Sequence, residues 1–187
     1  MSGAARTQHA LVREFNLEEM VATSDRVFIG TCVGIDETHE EIAQGLLAVT
    51  RYTFDVEHAL KGELPARFTF TQLGHAPLRK AARGAVMSHG EVVRPGLSRN
   101  EVATFGVGDR VLLFLVPNYL GGRVTHPVGL DQGAFLVTRT ETGSEKLSNG
   151  RGNLGLGPLS LSSFVELVRT IDVAQRGASA GGRIVPP

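Results

Sequence analysis

The chain has 187 residues, 19 Lys+Arg against 19 Asp+Glu, a formal net charge of zero and 42% hydrophobic residues. That is enough apolar chain for one core without metal or disulfide staples, and the neutral balance removes the general positive field on which nucleic-acid or anionic-membrane binding rests. A single Cys excludes a disulfide framework, 23 Gly point to a turn-rich β protein, and no run approaches the roughly 20 apolar residues of a membrane-spanning helix.

The start, MSGAARTQHALVREF, lacks the apolar core of a secretory signal and taken literally predicts a cytoplasmic protein. Residues 1–14 read as a flexible segment. In FNLEEM, Asn16 and Glu19 have capping-box spacing, with Phe15 and Met20 placed as a hydrophobic staple, so a short helix is expected from about 17 to 23. RVFIGTCVGID then reads as a strand over 26–36. Apolar or small residues on both parities predict burial on both faces, and Gly30 and Gly34 permit coiling or a close crossing.

THEEIAQG reads as a polar loop, after which Tyr52, Phe54 and Val56 alternate with Arg51, Thr53, Asp55 and Glu57 in a half-buried strand. Lys61-Gly62 and Pro65 turn the chain into a third alternating strand over 66–73, with Phe68 and Phe70 inward. A long loop follows over 75–104, rich in Gly, Pro and Arg. FGVGDRVLLFLV supplies a turn at Gly108-Asp109 and a strongly apolar strand over about 110–116, and two shorter strands are expected near 123–128 and 133–139. ETGSEKLSNGRGNLGLGPLS reads as a glycine-rich excursion. Ser160 is placed to cap a last helix whose stripe is Leu161, Phe164, Val168 and Ile171, and 176–187 has the composition of a disordered tail.

These elements describe a mainly β protein: a small closed or partly open OB-like barrel of five to six strands over 15–175, with a short N-terminal and a C-terminal helix. The helix ending at Ser24-Asp25, the coiled VFIGTCVG strand, ALKGE, the apolar strand after Gly108-Asp109 and PLSLSSF resemble the netrin-like domain of the tissue inhibitors of metalloproteinases. FGVGDRVLLFL, HPVGLDQGAFLV and SNGRGNLGL are similar to phrases of an uncharacterised family of exported bacterial proteins with this barrel. The resemblance implies an exported, periplasmic or extracellular protein. It does not carry protease inhibition, because the inhibitors use an N-terminal cysteine pinned by disulfides and this chain has none before Cys32.

Few residues promise chemistry. Cys32 lies between Thr31 and Val33 in a buried strand, the setting of a core thiol rather than an activated nucleophile. His39 and His58 cannot share an ion: with the first hairpin centred near 42 or 43, His39 faces about residue 46, roughly 40 Å along the strand from His58. His75, His89 and His126 lie in loops that could converge, yet nothing around them resembles HExxH or a Cys/His cluster. Asp36, Glu37, Glu40 and Glu41 lack EF-hand spacing and read as a solvated loop. GRGNLGLG opens no helix in the dinucleotide-binding register. No catalytic residue, metal or cofactor is expected.

The segment with most functional promise is the 75–104 loop, where Arg79, Lys80, Arg83, Arg94 and Arg99 outnumber Glu91 and Glu101 by three charges and His75 and His89 add to them. A basic rim loop suits an acidic partner. The leading expectation is a non-catalytic protein that binds another protein or an envelope component, with self-association left open. The alternative is a single-stranded nucleic-acid binder, disfavoured because Tyr52, Phe54, Phe68 and Phe70 share the parity of core residues. An enzyme using Cys32 ranks below both.

Overall fold

The computed structural model describes residues 13–42, 45–74, 102–150 and 152–181. Helix α1, Leu17–Thr23, forms where the capping box places it: Glu19 donates its backbone N–H to Asn16 Oδ1 at 2.8 Å, and Asn16 donates its own to Glu19 Oε2 at 3.1 Å. Its apolar face, Leu17, Met20 and Val21, is buried.

Strands β1 (Arg26–Ile42) and β2 (Gly45–Lys61) form one long antiparallel hairpin. Both run through THEEIAQG, so the expected polar loop is strand on either side of 43–44. The reason lies in the neighbours. Strand β4 (Arg110–Leu115) pairs only with Arg26–Thr31 of β1, and β3 (Arg67–Leu73) only with Val49–Asp55 of β2. The end of the hairpin extends past both, where polar side chains on either face cost nothing. At the base of that end Arg51, still paired with Thr71 of β3, faces Asp36 across the β1–β2 ladder and donates to Glu40 Oε1 at 2.6 Å.

The sheet continues through β5 (Ala134–Arg139), β6 (Glu145–Ser148) and β7 (Leu159–Ser160), in the order β3-β2-β1-β4-β5-β6-β7. Neighbours pair antiparallel throughout and the ladder does not close. Among the described residues, seven strands therefore replace the five to six expected. The two additions, β6 and β7, are four and two residues long and lie in the glycine-rich excursion, too short for alternation to show. The strand expected over 123–128 is instead a turn with two isolated bridges, Tyr119 to Val124 and Leu115 to Pro127. Pro127 has no N–H to give a ladder. This turn still reaches the far edge, for Thr125 donates its backbone N–H to the Thr71 carbonyl at 2.8 Å.

Strand β1 is buried on both faces, as its two apolar parities require. Val27 and Ile29 join α1, Leu112 and Phe114 of β4, and Phe135 in one core, while Phe28 and Cys32 join Tyr52, Phe54, Phe70, Phe105 and Leu113 in a second. The strand coils between them through three register irregularities, at Val27/Phe28, Ile29/Gly30 and Cys32/Gly34. Gly30 is required by close approach: a Cβ there would lie 2.7 Å from the Asp55 carbonyl oxygen.

Helix α2, Leu161–Gly181, packs Leu161, Phe164 and Val168 into the first core with Ile171 half-buried beside them. Ser160 Oγ accepts the Ser163 backbone N–H at 3.2 Å, the expected cap. The helix continues to Gly181, six residues into the stretch read as a disordered tail. Arg13, read as part of a flexible segment, is held: the buried Gln132 donates Nε2 to the Arg13 carbonyl at 2.8 Å and accepts the Phe15 N–H at 2.9 Å.

Candidate functional site

The second core is where a nucleophile or a base-stacking surface would have to be, and it is filled by its own side chains. Cys32 is fully buried, its Sγ 3.7 Å from the Gly34 carbonyl, and burial pushes the thiol up to about 11. A thiol so placed is protonated at neutral pH and has no cationic partner among the described residues to activate it. Tyr52, Phe54 and Phe70 pack against Phe105, the Tyr52 and Phe105 rings meeting edge to face at 5.0 Å. Burial raises the Tyr52 hydroxyl to about 12, and its oxygen has no hydrogen-bond partner among the described residues. Phe68 is half-buried, with the Arg26 guanidinium 5.4 Å from its ring centre. These four rings serve the core and form no exposed stacking platform.

The basic loop residues singled out from sequence, His75, Arg79, Lys80, Arg83, His89, Arg94 and Arg99, lie outside the described residues. The root of that loop is described, and it docks: Ala103 donates its N–H to the Leu130 carbonyl at 3.1 Å and accepts Gln72 Nε2 at 2.9 Å. His39 faces Ala48 and His58 is paired near the opposite end of the hairpin with Ile29, so they stay apart. The hairpin centre falls one residue later than expected. Among the described residues no three His, Cys, Asp or Glu side chains are grouped to hold a metal ion. No helix among them is long and apolar enough to cross a membrane.

What the tertiary structure assembles instead is charged relief where the sheet meets α2. Arg110, at the start of β4, is gripped by two carboxylates from different strands, Glu57 Oε2 at 2.7 Å and Glu145 Oε1 at 2.6 Å. Thr31 adds a hydrogen bond to Glu57 at 3.0 Å. The bonded Arg110 guanidinium holds the Glu57 carboxyl below its usual range, and the two carboxylates hold Arg110 above its own. Beside this bridge a groove of about 690 Å³ opens, floored by Ile29, Leu161 and Val165 and rimmed by His58, Arg139 and Arg169. Arg139 lies opposite Glu145 in the β5–β6 register, yet Glu145 is committed to Arg110. Arg169 projects from the third turn of α2. Neither Arg139 nor Arg169 makes an ion pair among the described residues.

Sequence reading missed this groove because its parts come from β1, β2, β4, β5, β6 and α2. The available signal was small: Arg110 opens the apolar strand directly after the Gly108-Asp109 turn, and a charge at the start of so apolar a strand asks for a partner.

A second, smaller groove of about 460 Å³ runs over Asp25, Lys61, Glu63 and Arg176. Two of its lining residues, Lys61 and Arg176, belong to an ion network. Asp172, 6% exposed, bonds Arg176 and lies 3.9 Å from Lys61, whose ammonium donates to the Val21 carbonyl at 2.5 Å. Burial holds the Lys61 ammonium below its usual range, against the pull of Asp172. Its contacts tie α1, β2 and α2 together, which is a structural role. No protein-family model, curated protein or solved structure matches this chain.

Proposed function

We propose that the chain is a non-catalytic binding module, an OB-like barrel of the netrin-like kind, that acts outside the cytoplasm by surface contact with a protein or an envelope component. The observation that carries the reading is the contrast between inside and outside. The thiol and most aromatic rings are packed into two cores, while the open relief beside α2 is lined by charged and hydroxyl side chains over a few apolar ones. Such a surface recognises by charge and shape and brings no activated group to bear on a bound molecule.

The test uses the full chain, immobilised, against three probes: vesicles of anionic phospholipid, sonicated peptidoglycan and total exported protein. Retention of one of them that survives moderate salt, and that falls on charge reversal at Arg139 and Arg169 without loss of folding, is the expected result. Submicromolar, salt-sensitive binding of single-stranded oligonucleotides would replace it with the nucleic-acid reading. Turnover of any substrate that disappears in Cys32→Ser would replace it with the enzyme reading.

A further inference from the structure

We infer that the groove between the β4–β5–β6 corner and the first turns of α2 is a site for a small organic phosphate, with Arg139 and Arg169 taking the phosphoryl oxygens and the Ile29, Leu161 and Val165 floor taking the carbon part. The inference rests on the reading of the chain as a binding module and names a ligand class for this surface.

The distribution of charge around the groove supports it. Glu57, Arg110 and Glu145 satisfy one another, so Glu145, which lines the groove, is already committed. Arg139 and Arg169 come from different elements, a strand end and a helix, and both line the groove without a counter-ion among the described residues. Guanidinium groups present planar forks that match carboxylate or phosphate oxygens in pairs. A carboxylate has two oxygens and occupies one fork. A phosphoryl group has three oxygens and about −1.5 to −2 charge at neutral pH, which answers two forks at once. Counting the bridge as one net negative charge, the groove is left with one net positive charge, enough for attraction and too little for non-specific polyanion binding.

The floor argues for an organic ligand over a bare ion. Ile29 and Leu161 line the groove as members of the first core, and the half-buried Val165 packed against them presents the apolar surface there. Its volume, about 690 Å³, falls within the roughly 300–1,000 Å³ of small-molecule sites, which pair an apolar floor with a few polar groups. Ser144 and Ser162 add hydroxyl groups to the lining.

The experiment is a titration of the isotopically labelled full chain with phenyl phosphate, followed by amide chemical shifts. Shifts confined to residues around 143–145 and 160–169, saturating at millimolar concentration or below, competed by inorganic phosphate and weakened at least about tenfold in Arg139→Ala/Arg169→Ala, are expected. Both arginines are exposed and unpaired, so that variant keeps the parent spectrum elsewhere. Benzoate binding as tightly as phenyl phosphate would overturn the phosphoryl assignment. Shifts absent, scattered over all basic surfaces or unchanged in the double variant would overturn the site. Release of phenol would refute the non-catalytic reading and leave the site standing, so the two failures are told apart.

Discussion

Gly30 and Gly34 are the same residue, four apart on one strand, and the structure assigns them opposite responses to alanine. At Gly30 the new methyl would lie 2.7 Å from the Asp55 carbonyl oxygen, about 0.7 Å inside ordinary contact. Strand β1 cannot retreat there, because it is paired with β2 on one side and with Val111 of β4 on the other. Overpacking of this kind costs about 1–3 kcal/mol, and the stiffer unfolded chain returns about 0.4–1 kcal/mol, leaving a net loss of about 1–2 kcal/mol. For a chain of this length that lowers Tm by roughly 2–8 °C. At Gly34 the nearest atom is Thr53 Cβ at 3.4 Å, an ordinary contact, and the β4 pairing has already ended at Thr31. Gly34→Ala is therefore neutral or stabilising by up to about 1 kcal/mol. Urea and thermal unfolding followed by circular dichroism measure both. Equal stabilities, or Gly34→Ala the weaker protein, would refute the placement of the irregularities that coil β1.

Other residues give independent checks. With its thiol pushed to about 11, Cys32 should react with a disulfide reagent at pH 8 only as fast as the chain unfolds, and a rapid reaction of the folded protein would contradict its burial. Arg110→Ala leaves Glu57 and Glu145 without their shared cation. Because the folded Glu57 carboxyl is held below its ordinary value, the bridge stabilises above the unfolded carboxylate range and loses that contribution as pH falls through the folded value. The parent should therefore lose about 1 kcal/mol more than Arg110→Ala between neutral pH and pH 3, an estimate discounted for partial exposure. Parallel pH curves would sink that account. Gln132→Ala unpairs the Phe15 N–H and the Arg13 carbonyl and should cost about 2 kcal/mol, with faster hydrogen exchange at Phe15; unchanged exchange would show that Gln132 does not hold that segment.

Elements with strong local codes were legible in order. The capping box at Asn16 and Glu19, the alternation through Tyr52 and Phe54, and the Leu161, Phe164 and Val168 stripe each appear in the structure where the residues place them. The failures share a different cause. THEEIAQG is polar on both parities because its hairpin stands clear of the sheet, so the pattern of a strand against a core never forms. LSNGRGNLGLGPLS hides two short strands around a turn in which Asn153 and Leu154 take left-handed conformations, at φ 55° and 57°. A leucine gives no sequence sign of such a backbone. Reciprocal hydrogen bonds between Asn149 and Asn153, both 2.9 Å, pin it.

The sequence by itself determined a neutral, mainly β chain with helices at either end, a first strand buried on both faces and a thiol placed in the core. Those properties follow from periodicity and from which side chains water rejects, and both act within a few residues. The tertiary structure alone decided that the sheet stays open with seven strands, that Arg110 is saturated by carboxylates 53 and 35 residues away in sequence, and that Arg139 and Arg169 are left over on one rim. Charge pairing depends on distances between elements, and those are set only when two cores pull the strands and α2 into register.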